Sequence, residues 1–151
     1  MTRRLAATLL LGVLQFPAQA GNVAGLVSVV SRHDVATTTD KLIAALEEKG
    51  LSLFSRTDHA AGAAQAGMIL SPTQLVIFGS PKVGTALMNC GQTAGIDLPL
   101  KALIWQDAEG IVRLGYNSPD WLAGRHGLTG CEQVVAKVAD ALAGLAEAAT
   151  R

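Results

Sequence analysis

The chain has 151 residues, with 12 basic and 12 acidic side chains and a formal net charge of zero. It carries no basic block, which speaks against nucleic acid as a partner. Half of the residues are hydrophobic but only 4% are aromatic, and beyond residue 20 no apolar run reaches the roughly 20 residues that a membrane span needs.

Met1–Ala20 reads as a secretory signal peptide. Arg3 and Arg4 make a basic start, Leu5 to Phe16 is an apolar run, and Ala18-Gln19-Ala20 is a small-x-small cleavage site. The expected product is exported, periplasmic or secreted. Gly21–Arg151 leaves 131 residues, enough for a single domain with its own core. Without Arg3 and Arg4 the basic count is 10 against 12 acidic residues, a net charge of about −2.

Leu26–Ser31 is β-branched and predicts a first strand. Asp34 and Thr37–Thr39 offer capping oxygens before a helix whose apolar positions are Leu42, Ile43 and Leu46 and whose stop is Gly50. Leu51–Thr57 alternates and predicts a second strand with one buried face. Asp58-His59 ends it, and the alanine-rich stretch 60–67 predicts a short helix. Gln74–Phe78 is apolar after its first residue, as expected of an interior third strand. Pro81 suits the first turn of a minor helix. Leu100–Gln106 and Ile111–Tyr116 predict two strands joined by the Asp107–Gly110 hairpin turn. Pro119–Leu128 is a short irregular or helical segment. Cys131–Ala149 predicts a long amphipathic helix with Val134, Val135, Val138, Leu142 and Leu145 on one side.

The order is β-α-β-β-β-β-α, with the minor helix inserted after the third strand. Short turns between strands favour an α+β domain with a single antiparallel sheet and helices on one face.

Four stretches carry a resemblance. "GLSLFSRTDHAAGAAQAG", "TQLVIFGSPKVGTALM", "IDLPLKALIWQDAEGIVRLGYNSP" and "LAGRHGL" together resemble the domain of unknown function 302 family, over about residues 25–148. The resemblance implies an α+β sheet similar to TATA-box-binding-protein-like domains, and a homodimer. It implies no activity. Family members usually carry asparagine where this chain has Ser80, so any contact made through that amide is lost here.

Gly79-Ser80-Pro81-Lys82-Val83-Gly84-Thr85 is one lysine short of a phosphate-binding loop. Pro81 also removes a backbone donor. The segment is therefore expected to be a strand-to-helix turn, with Ser80 capping the helix. His33, His59 and His126 form no HxH or HxxxH pair, so neither a metal nor any other cofactor is expected. Cys90 and Cys131 either form one disulfide in an oxidising compartment or remain two buried thiols.

Polar residues at predicted strand ends and turns are the site candidates: Asp58, His59, Ser80, Thr85, Tyr116 and His126. Asp58-His59 and Arg125-His126 match the "DH" and "RHGL" of the resembled family. The leading expectation is a non-catalytic domain in which these six residues line one pocket for a small ligand. The alternative is an enzyme with His59 as general acid or base, oriented by Asp58.

Overall fold

A computed structural model describes residues 23–151. The signal-peptide reading of Met1–Ala20 lies outside the described residues. Five strands build one antiparallel sheet: β1 Leu26–Val30, β2 Ser52–Asp58, β3 Thr73–Gly79, β4 Leu100–Gln106 and β5 Val112–Asn117. Their order across the sheet is β1-β5-β4-β3-β2. Each hairpin neighbour pairs with the next, and β1 closes the far side against β5, with Val27 opposite Tyr116.

The helices are α1 Val35–Glu48, α2 His59–Gln65, α3 Pro81–Cys90, α4 Pro119–His126 and α5 Glu132–Thr150, with a 3-10 turn at Gln92–Ile96. α1 joins the two edge strands. It starts where Asp34 accepts a hydrogen bond from the Thr37 amide at 2.7 Å. Thr38 and Thr39 do not act as caps. They sit fully buried inside α1, and their hydroxyls donate to the carbonyls of Asp34 and Val35.

α1 and α5 pack side by side over one face of the sheet. Strand alternation sends Val76, Phe78, Ala102, Ile104 and Leu114 inward, against Leu42, Leu46, Leu142 and Leu145. Val135 and Val138 on α5 are buried as its apolar spacing predicts, whereas Val134, expected on the same side, is only half-buried at its margin. The alternate residues Leu75, Ile77, Leu103 and Trp105 are half-buried and point to the other face. Trp105 lies across Gly115 on β5, where an added Cβ would stand 2.9 Å from the indole. Glycine is thus needed in the middle of a strand because a ring occupies the space of a side chain.

One strand departs from expectation. β2 buries no face: only Ser55 is half-buried and the rest of the strand is exposed. It is an edge strand, and its register against β3 shifts between Leu53 and Ser55, leaving Phe54 as the extra residue. Such a bulge switches the faces of everything beyond it, so the sequence alternation no longer maps onto one side of the sheet.

Candidate functional site

The turn after β3 organises one end of the molecule. Gly79 is buried, Ser80 is extended (φ −133°, ψ 125°), and Pro81 opens α3. The Ser80 carbonyl accepts from the Gly84 amide at 2.9 Å. Its hydroxyl, however, makes no capping hydrogen bond. Ser80 lines the clefts on either side of the turn, and the start of α3 has no side-chain cap.

Beside this turn is a cleft of about 340 Å³. One wall is Ser80, Pro81, Val83, Gly84, Thr85, Leu87 and Met88; the other is Phe54 together with Gly95, Leu98, Pro99 and Leu100. The second wall is pinned by polar contacts. Lys101 Nζ donates to the carbonyls of Asp97 at 2.9 Å and Pro99 at 3.1 Å. The Asp97 carboxylate lies 2.6 Å from His126 Nε2 and 3.5 Å from Arg125. His126 Nδ1 is 3.0 Å from the Thr93 hydroxyl, and its side chain is only 6% exposed. A disulfide between Cys90 and Cys131 ties the end of α3 to the start of α5. The segments "FGSPKVGT", "IDLPLK" and "RHGL" thus converge here from distant parts of the chain.

Residues 27–146 match the family described as "Domain of unknown function DUF302". The chain belongs to the DUF302 family. Its fold is similar to that in the crystal structure of an uncharacterized conserved protein DUF302 from Bacillus stearothermophilus. The TM-score is 0.75 at 18% identity, covering 85% of this chain and 99% of that one. Three Brucella proteins are similar in sequence. "Fluoride-specific ion channel FluC 1" of Brucella suis biovar 1 (strain 1330) is 48% identical over 115 residues, which is 76% of this chain and 45% of that protein. The FluC 1 protein of Brucella abortus biovar 1 (strain 9-941) and the FluC 2 protein of Brucella melitensis biotype 1 (strain ATCC 23456 / CCUG 17765 / NCTC 10094 / 16M) are likewise 48% identical over 115 residues, here 43% of their lengths. The DUF302 chain spans less than half the length of these relatives.

The six candidate residues of this DUF302 domain do not share one pocket. Ser80 and Thr85 line the cleft. Asp58 and His59 lie at the opposite end of the sheet, because β2 runs antiparallel to β3 and finishes where β3 begins, with Asp58 opposite Gln74. There Asp58 caps α2, accepting from the Ala61 amide at 2.9 Å and from Gln74 at 3.2 Å. His59 is exposed and no hydrogen bond to its ring is found among the described residues. Direct Asp58–His59 coupling is absent for the same reason: the carboxylate is turned to the helix amide and to Gln74.

Tyr116 lies at the same end as the cleft but faces the core between Ala102 and Val27, and burial pushes its phenol above the ordinary range. His126 belongs to the scaffold behind the cleft wall. Sequence reasoning missed Asp97 and Thr93 as its partners, and Lys101 as the donor to the Asp97 and Pro99 carbonyls. Asp97 and Lys101 fall in a quoted family stretch and Thr93 in none, and a contact across 29 positions, such as Asp97 to His126, leaves no local pattern.

Proposed function

We propose that this DUF302 chain is an exported, non-catalytic binding domain and that the cleft beside the 79–85 turn takes a small ligand. The observation that carries the reading is the lining. Of thirteen lining residues only Ser80 and Thr85 have polar side chains, and no titratable group is among them. A cleft of this composition offers apolar burial with two orienting hydroxyls, the usual make-up of a small-molecule site. Export is supported by the Met1–Ala20 pattern and by the Cys90–Cys131 bond, since such bonds persist in oxidising compartments. The reading includes a homodimer, with the sheet face opposite α1 and α5, which bears Leu75, Ile77, Leu103 and Trp105, as its contact surface.

Native mass spectrometry of protein isolated from the periplasm tests these points together. The expected species lacks the first 20 residues, is two hydrogens lighter than its reduced form, is dimeric, and carries a releasable small molecule. A ligand-free species that also binds none of a panel of small apolar compounds would sink the binding reading.

The Brucella relatives support a second reading. They are named as fluoride-specific ion channels, and the matched part is under half of each. This chain is then an accessory domain of fluoride export. Deleting its gene would lower the fluoride concentration that cells tolerate; unchanged tolerance would refute this reading.

A further inference from the structure

A second cleft of about 270 Å³ lies on the other side of the same turn, between α3 and α5. It shares Gly79, Ser80, Val83 and Leu100 with the first. Its floor is apolar, with Phe78, Leu142 and Leu145 from the core. Its only charged lining residues are Lys82 on the first turn of α3 and Lys137 on α5. Both are exposed, so they stand at its solvent edge. Neither makes an ion pair or hydrogen bond among the described residues, although Asp140 lies within a turn of Lys137 on α5. The uncapped start of α3 adds a partial positive charge at the same edge.

An apolar slot rimmed by two unpaired ammonium groups is complementary to one kind of molecule. We propose that this second cleft binds a free anionic amphiphile, a single alkyl chain ending in a carboxylate. The chain lies along the half-buried Val83, Ala86 and Ala141, above the buried Phe78, Leu142 and Leu145, and the carboxylate is held by Lys82 and Lys137 beside the first turn of α3. This goes beyond the binding reading above, which concerns the first cleft, and places a ligand in the second, which shares the 79–85 turn with it. Burial of alkyl carbon supplies most of the affinity, and the lysines select the head group.

Calorimetric titration of the purified chain with octanoate, decanoate, dodecanoate, dodecanol and dodecyltrimethylammonium, each below its aggregation threshold, tests the assignment. Each added methylene in the carboxylate series should tighten binding roughly fourfold until the slot is full. Lys82→Gln/Lys137→Gln should weaken dodecanoate roughly fivefold to tenfold and leave dodecanol unchanged. Added salt should act in the same direction as the double substitution. Ala86→Trp, which fills the slot, should abolish dodecanoate binding while circular dichroism shows an unchanged fold. Dodecanol binding as tightly as dodecanoate, or a double variant with undiminished dodecanoate binding, would overturn the head-group assignment while the binding reading stands. Binding to phosphatidylglycerol vesicles without binding of free dodecanoate would overturn it in favour of a membrane surface. Absence of binding by every compound would remove both.

Discussion

Reduction of the Cys90–Cys131 bond should be the most destabilising single chemical change available to this domain. The bond closes a loop across a sequence separation of 41 residues. In the chain-entropy treatment, releasing a loop of that length returns about 4 kcal/mol of conformational freedom to the unfolded chain. Small domains have a total stability of only about 5–15 kcal/mol, so the loss is a large fraction. For a chain of this size it corresponds to a fall of roughly 8–16 °C in Tm.

Urea unfolding of oxidised protein, of reduced protein and of the Cys90→Ala/Cys131→Ala variant gives the comparison. The alanine pair avoids placing a hydroxyl at position 131, which is only 3% exposed. The reduced and alanine forms should agree within about 1 kcal/mol of each other, and their m-values should exceed that of the oxidised form, because an uncrosslinked unfolded chain exposes more surface. A loss below about 1 kcal/mol, with complete reduction verified by mass, would refute the entropic argument.

His126→Ala should cost about 1–3 kcal/mol, because it leaves the Asp97 carboxylate without its closest partner. A double-mutant cycle with Asp97→Ala should recover a coupling of at least about 0.5 kcal/mol, and additive losses would show that the contact is idle. Gly115→Ala should cost about 1–3 kcal/mol by driving its Cβ into Trp105. Adding Trp105→Ala should remove most of that cost, which thermal melting can check. Asp107 is held below its ordinary value of 3.8 chiefly by the hydrogen bond from Arg113, 2.7 Å away. A lowered folded pKa stabilises fully above the unfolded value and is lost as pH falls through the folded one. Stability should therefore decline from about pH 5 downward, and Asp107→Asn should flatten that decline in urea titrations at several pH values.

Much of the fold was legible in local sequence. Leu100–Gln106 was expected as a strand and is one over those same residues, because β-branched and aromatic residues bounded by Pro99 and the Asp107 turn leave little choice. The buried stripe of α5 follows from apolar spacing alone. Local rules failed where the neighbour, not the residue, decides. β2 alternates as a half-buried strand should, yet it lies on an edge and is broken by a bulge at Phe54. Ser80 has the chemistry of a cap, yet its hydroxyl makes no capping hydrogen bond.

The candidate site divides in the same way. Composition and spacing identified polar residues at strand ends, but not at which end of the sheet each strand finishes. Antiparallel pairing carried Asp58 and His59 to one end and Ser80 and Thr85 to the other. The sequence by itself determined the strands, the main helices and the strand-to-helix turn, since each depends on residues within a few positions. The tertiary structure decided the cleft, the Asp97–His126 contact and the Cys90–Cys131 bond. Each of these depends on distances between chain segments that no local pattern encodes.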